Sequence, residues 1–281
     1  MAFQHWKIGL DIQNGQLCAL AVQHHRRKGW LLRHWWCHPL PADTLVQGVI
    51  QHSASLITLL SHWRRRLPQK ISLRVGLHPQ LVLQRQLQLP ETKNRLREPE
   101  RSRYITAAAR RLFPMSLEDL IVDYRQQSPS GELCLTAAHR SALEAWNSFF
   151  QTAGLTPEVL ELTPAALASL AQTMKLPPQA SLVHALSDHW LWFSPQLSPP
   201  VGWCLRDDVS GLAALLASRL KVNGPVYVSG VLRDRLVPPA CQLPSPFSLL
   251  NHLQPPLPRH PHCFALAAGL ALRPEENQWY G

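Results

Sequence analysis

Residues Lys7–Val22 read KIGLDIQNGQLCALAV, two apolar runs separated by a short polar turn centred on Asn14-Gly15. Asn-Gly is the pair most at ease with the left-handed backbone of a two-residue hairpin, so this stretch is expected to be two antiparallel strands. Asp11 stands near the end of the first strand and places a carboxylate at the mouth of the hairpin. The plainest role for such a group is to accept hydrogen bonds from the Asn14 and Gly15 N–H groups of its own turn. The turn carries one glycine and no Ser, Thr or Lys.

Working outward, Gly29–Trp36 is aromatic with strand character, and Leu45–Arg66 has apolar residues on one helical face. Ile71–Leu89 alternates on both sides of Pro79 and predicts two strands. A charged helix is expected over Glu98–Leu112, then a strand pair, Leu120–Tyr124 and Glu132–Ala137, around the Ser128-Pro129-Ser130-Gly131 turn. The helix His139–Ala153 ends at Gly154, the strand Val159–Leu162 follows, and a helix Pro164–Met174 carries proline in its first turn. After Lys175-Leu176-Pro177-Pro178 a second strand series begins, at Ser181–Leu186, His189–Phe193 and Pro200–Leu205. A helix Asp208–Leu220, capped by Asp207 or Asp208, and a strand Pro225–Ser229 come next. A helix of small residues, His262–Leu272, closes the pattern. Strands first and helices after, twice over, predict a two-lobed α/β protein with lobes 1–176 and 177–281.

Composition fits that reading. The 281 residues are 46% hydrophobic and 16% charged, a globular balance able to bury a sizeable core. The 25 prolines break up Leu236–Pro258, the longest late uncharged stretch, and Lys7 and Asp11 interrupt any early apolar run. A soluble, cytoplasmic chain is therefore expected. Its six cysteines include no C-x-x-C pair, which argues against a disulfide framework. The net charge of +10 is lopsided: residues 1–140 hold 20 Lys+Arg against 9 Asp+Glu, residues 141–281 hold 8 against 9. Such asymmetry suits an anionic neighbour, lipid head groups or nucleic acid, or else a solvated basic face. Arg64-Arg65-Arg66 is its densest cluster in a candidate helix; it could face a membrane or simply complement the helix dipole.

Other candidate sites are weaker. His34 and His38, with His260, His262 and Cys263, could be drawn together as a metal site. On a strand the H-x₃-H spacing separates the rings, and among 14 histidines clusters arise by chance, so no metal is expected. Trp30, Trp35, Trp36, Trp190 and Trp192 lie in apolar strand patterns that favour packing over base stacking. No nucleophile elbow, Walker loop, HExxH or GxGxxG occurs, so no catalytic residues are assigned.

Four segments in order carry a family resemblance. KIGLDIQNG resembles the first phosphate loop of actin-like ATPases. RRLFPMSLEDLIVDYR, and ELCLTAAHRSALEAWNSFFQTAGLTPEVLELTPAALASL, resemble passages of the type IV pilus assembly protein PilM. VYVSGV and CFALAAGLALR resemble that family's adenosine-side strand and closing helix. The resemblance implies a two-lobed actin-like fold of the PilM/FtsA type with degenerate nucleotide loops. Asp11, Asn14, Gly15, Ser187, Ser229 and Gly230 stand where the family meets nucleotide. The departures are Gln13 and Asn14 for small residues, Cys18 for a lysine, and His184-Ala185-Leu186-Ser187-Asp188-His189 for an Asp-Gly-hydroxyl turn. After Ser229-Gly230 come Val231-Leu232 rather than glycines.

What the resemblance implies is a non-catalytic scaffold of a pilus-like DNA-uptake system, peripheral to the inner membrane. Its partner would be the cytoplasmic tail of a PilN/HofN-like inner-membrane protein, gripped between Ile71–Leu89 and Glu98–Leu112 with a basic rim. No cofactor and no direct DNA contact are expected. The alternatives are a PilM-type protein that keeps ATP as a structural ligand, and a nucleic-acid-binding protein using the basic half.

Overall fold

The computed structural model describes residues 5–89, 99–126, 132–231, 238, 240–251 and 255–274. The chain opens with an antiparallel meander of β1 (Trp6–Gln13), β2 (Gln16–His25) and β3 (Gly29–Pro39). Gln13 pairs with Gln16 and Gly15 has φ +90°, so the Asn14-Gly15 turn is the two-residue hairpin its sequence implies. A small hairpin, β4 (Leu45–Val46) and β5 (Val49–Ile50), precedes helix α1 (Ser53–Arg64). The helix expected from Leu45 thus begins only at Ser53. Gln47 and Gly48 take φ +50° and +80°, which reverses the chain before any helix can start.

β6 (Ile71–Leu77) and β7 (Val82–Gln88) flank Pro79, and α2 (Glu100–Leu112), β8 (Leu120–Gln126), β9 (Glu132–His139) and α3 (Arg140–Thr152) follow. The Ser128–Gly131 turn lies outside the described residues. β10 (Pro157–Leu162) leads into α4 (Thr163–Thr173). The second strand series is β11 (Ser181–Ala185), β12 (His189–Phe193) and β13 (Val201–Leu205). A short α5 (Leu212–Leu215) continues as a π-helical turn to Leu220, then come β14 (Val226–Gly230), β15 (Cys241–Gln242) and α6 (Ala265–Leu272). The helix expected over Asp208–Leu220 is therefore split. Asp208 Oδ2 accepts from Leu205 N–H to close a separate 3₁₀ turn, and Gly211 at φ +146° separates it from α5.

The two main sheets repeat one topology. The first has strand order β10-β6-β1-β2-β3 and the second β15-β14-β11-β12-β13, each a meander whose first strand also pairs in parallel with a later strand. A third sheet, β7-β9-β8, is inserted between β6 and β10 and packs with α2 around Leu133, Leu135, Ile105 and Phe113.

Side chains alternate across a strand, and here both faces of the first sheet are covered. Ile8, Leu10, Leu17 and Ala19 meet α1 and α3 through Leu60, Trp146 and Phe150; Cys18, Leu20 and Val22 meet α4 and α6. All eight residues of α6 are buried. Its small side chains let backbones touch: a Cβ on Gly9 of β1 would collide with the Ala267 carbonyl, and one on Gly269 with the Ala166 carbonyl of α4. Arg74 of β6 donates to the Arg273 carbonyl at 2.6 Å, placing a cation on the C-terminal end of α6. α6 is thus the wedge on which the first sheet and α4 are seated.

Candidate functional site

The period of two that sends Leu10 and Ile12 into the α1/α3 core turns Asp11 to the opposite face, beside Cys18. Asp11 lies two residues inside β1 and is fully buried. The expected bonds from Asn14 and Gly15 N–H are not made. Asp11 Oδ2 instead accepts from the Gln13 side-chain amide, while Oδ1 meets no hydrogen-bond partner among the described residues. Burial lifts the Asp11 carboxyl to a pKa of about 7, against the opposing pull of the Gln13 bond.

The turn beyond it is tied to its surroundings. Gly15 N–H donates to Pro41 O at 3.1 Å. Asn14 Oδ1 accepts from Leu45 N–H at 2.7 Å, and its Nδ2 donates to Leu45 O at 3.0 Å and Asp188 Oδ2 at 2.9 Å. Ser187 Oγ donates to Asn14 O at 3.1 Å. The β11–β12 turn therefore docks directly on the β1–β2 turn. Of the residues the sequence assigned to nucleotide, Asn14 and Ser187 come together, but on each other.

Ser229 and Gly230 do not join them. Ser229 is wholly buried; its hydroxyl lies 2.8 Å from His184 Nδ1 and donates to Val183 O at 3.2 Å within the second sheet. Gly230 pairs with Ala185, and Val231 N–H donates to the Ala185 carbonyl at 2.8 Å. The assignment of Ser229 to a ligand is corrected by that inward rotation. Burial drives His184 down to a pKa of about 3, so a neutral imidazole accompanies the serine.

A group the sequence did not single out completes the contact. His78, just after β6, places Nε2 3.2 Å from His189 Nδ1, which lies 2.6 Å from Asp188 Oδ1. Burial lowers His78 to about 3. Burial alone would raise Asp188, but the His189 bond, the nearby imidazoles and the Asn14 amide hold it at about 2. The ligand atoms of His78, Asp188 and His189 lie within 4.8 Å of one another, a spacing that fits a metal. Proton placement opposes one: His78 Nδ1 accepts from Gln80 N–H, so the neutral ring carries its proton on Nε2 and offers no lone pair there. The ionised Asp188 accepts from His189 Nδ1–H, and His78 packs edge-on against the His189 ring with centroids 4.2 Å apart, joining the two halves of the chain.

The space left between these groups, lined by Asp11, Gln13, Asn14, His78, Thr163 and Asp188, is a cavity of about 10 Å³. That is room for about one water. A triphosphate needs several free backbone N–H donors and the space to reach them, with a carboxylate to hold its metal ion. Here the Gly15 N–H is taken by the Pro41 carbonyl and the space left holds about one water, so these residues as placed leave no room for a triphosphate.

The basic cluster divides. Arg64 donates to the carbonyls of Gly154 (3.2 Å), Pro68 (3.0 Å) and Gln69 (3.0 Å) and so staples the end of α1, the helix-end role that was one of the two open to it. Arg65 and Arg66 are exposed. A larger buried ion cluster lies elsewhere: Glu161 of β10 takes a two-pronged Arg125 at 2.9 Å and Arg273 Nε at 2.6 Å. It joins the inserted sheet, the first sheet and the end of α6.

A groove of about 350 Å³ opens on the first half between the β4–β5 hairpin, α1 and α3. Val49, Ile50, Ile57, Leu81, Trp146 and Phe149 line it, and Val46 and Val49 on the hairpin are about half exposed. Of the walls expected at Ile71–Leu89 and Glu98–Leu112, Leu81 alone takes part among the described residues. The rest comes from α1, α3 and a hairpin whose residues were read as helix.

Mixed sheets of repeated topology, meeting through the first hairpin of each and a buried small-residue helix, define the actin-like class. The model of the type IV pilus assembly protein PilM family matches residues 9–183, and the chain belongs to that family. It is 29% identical over 97% of its length, and 98% of the relative's, to the DNA utilization protein HofM of Escherichia coli K12. Among solved structures it resembles a chain of the PilM-PilN type IV pilus biogenesis complex, with TM-score 0.67 and 17% identity, covering 95% of this chain and 97% of that one. It also resembles the cytoplasmic domain of EpsL, an inner-membrane component of the Vibrio cholerae type II secretion system, with TM-score 0.55, 12% identity and 95% coverage of each chain. Among the described residues no helix is long and apolar enough to cross a membrane.

Proposed function

We propose that this protein is a non-enzymatic scaffold of a type IV pilus-like DNA-utilization machine, holding the cytoplasmic tail of a PilN-like inner-membrane protein. The observation that carries the reading is the direct Asn14–Asp188 contact at 2.9 Å, made where an actin-like ATPase would admit phosphates. A cleft closed by its own side chains leaves the fold as a docking platform, and a fold outlasts its chemistry. The apolar groove over Trp146 and Phe149 is the surface that accepts the tail. The precedent is the PilM-PilN complex named for the similar structure. The excess positive charge of residues 1–140 favours approach to an anionic membrane, and acts on the association rate more than on residence.

The test is calorimetry of the full chain with a synthetic N-terminal tail of the PilN-like partner, and separately with Mg-ATP. The tail is expected to bind with micromolar or better affinity, and Ala145→Glu, on the exposed side of the groove, to weaken it at least about tenfold. Mg-ATP is expected to give no heat. Low-micromolar ATP binding would instead establish a structural nucleotide. Duplex DNA binding with a steep salt slope, and no tail binding, would make the basic half a nucleic-acid surface.

A further inference from the structure

Cys18 of β2 and Cys37 of β3 stand directly opposite each other, with their sulfurs 3.9 Å apart. Leu40 N–H donates to Gly15 O, which marks the Gly15–Leu40 step as hydrogen-bonded. By alternation the Cys18–Cys37 step is a non-bonded one, in which Cα atoms approach to about 4.5 Å. That lies within the range a disulfide spans, roughly 4.4–6.8 Å. The two thiols differ sharply in access. Cys18 is completely buried against α6, whereas Cys37 is exposed on the outermost strand of its sheet.

The Cys18 S–H donates to the Cys37 sulfur, and this bond pulls Cys37 down to a pKa of about 7, against the opposing effect of burial. The thiols of Cys134, Cys204, Cys241 and Cys263 are all pushed up by burial, Cys263 to about 11. Cys37 is thus the thiol that carries a substantial thiolate fraction at neutral pH, and it reaches solvent.

We propose that Cys37 is a peroxide-reactive thiol and that Cys18 resolves it into a disulfide across the β2–β3 step. The Cys37 thiolate attacks one oxygen of a hydroperoxide; the O–O bond breaks, the sulfur is oxidised to sulfenic acid and hydroxide, or an alkoxide, leaves. The Cys18 sulfur then displaces the hydroxyl of Cys37, an S–S bond forms, and water departs with the Cys18 proton. Because Cys18 pairs with Asp11 on its other side, the bond ties the edge strand to the strand that borders the closed cleft. The disulfide leaves β2 and β3 covalently stapled.

The test is hydrogen peroxide at low molar excess on the reduced full-length chain, followed by intact mass, thiol titration and peptide mapping. The expected result is a loss of about 2 Da and two thiols, reversed by dithiothreitol, with Cys18 joined to Cys37. Cys37→Ser, at an exposed position, should abolish the change. Cys18→Ala should leave a Cys37 sulfenic acid that dimedone captures. Wild-type Cys37 persisting as a free thiol, overoxidising to sulfinic acid, or mapping to Cys263 would each overturn the proposal, and none of these readings depends on how a variant folds.

Discussion

Replacing Asp11 by Asn should make the protein more stable, and by an amount that grows with pH. Unfolded, the carboxyl ionises at 3.8; folded, burial moves it to about 7. The folded state therefore holds a proton that the unfolded state has released across this window, and stability falls as pH rises from 3.8 to about 7. Each unit of separation is worth about 1.36 kcal/mol. Between pH 5 and pH 8 the wild type should lose about 2.5 kcal/mol through this group, nearly all of it below pH 7.5. Asn keeps an oxygen for the Gln13 amide but cannot ionise. Its new N–H group faces a cavity where Thr163 Oγ1 has no hydrogen-bond partner among the described residues, and both side chains lie against Gly76. The assay is urea unfolding of both proteins at half-unit pH steps, read as variant minus wild type so that every other titration cancels. A difference of about 2.5 kcal/mol accumulating from pH 5 to 8 is expected, a melting shift of roughly 5–10 °C. A difference that stays flat with pH would show that Asp11 ionises normally in the folded protein and that its burial has been misread.

The two neutral histidines act with the opposite sign. His78 and His184 fold with pKa values near 3 against 6.5 unfolded, so their contribution is complete above 6.5 and is lost as pH falls towards 3. His184→Gln should flatten the acid limb of the stability profile by about 2 kcal/mol between pH 6.5 and 4.5, measured by the same unfolding series. Glu161→Ala strands two arginines, Arg273 buried and Arg125 half exposed, and should cost about 3–5 kcal/mol by denaturant titration; a loss under 1 kcal/mol, on the order of an exposed pair, would mean the cluster is solvated. Gly269→Val must push α6 off the Ala166 carbonyl and should lower melting by more than any substitution on the exposed face of α3, as calorimetric scanning would show.

Local chemistry alone settled much of this molecule. Asn14-Gly15 can hardly be anything but a two-residue turn, and the apolar runs on either side must bury, so β1 and β2 follow wherever the rest of the chain goes. Proline at 79 splits its segment into two strands for equally local reasons, since it has no N–H to give a ladder. The small residues of Ala265–Leu272 announce a helix packed tightly on all sides. Where local rules compete, sequence was silent: Gln47-Gly48 adopts a left-handed bend that periodicity averaged into a helix, and Gly211 cuts the run that began at Asp208. The candidate site was legible only in halves. Asp11, Asn14 and Ser187 were visible as candidates, but His78 comes 111 residues before the His189 it meets, and no spacing rule links them. Whether Asp11 meets nucleotide, its own turn or nothing is decided by which side chains fill the space in front of it. Those are Asp188 and the two imidazoles, delivered by the docking of one sheet's turn on the other's. Patterning fixes which faces must be covered, because burial is non-directional; only the tertiary fold decides which polar atoms meet there, because hydrogen bonds demand partners at about 3 Å and the chain supplies them from far away.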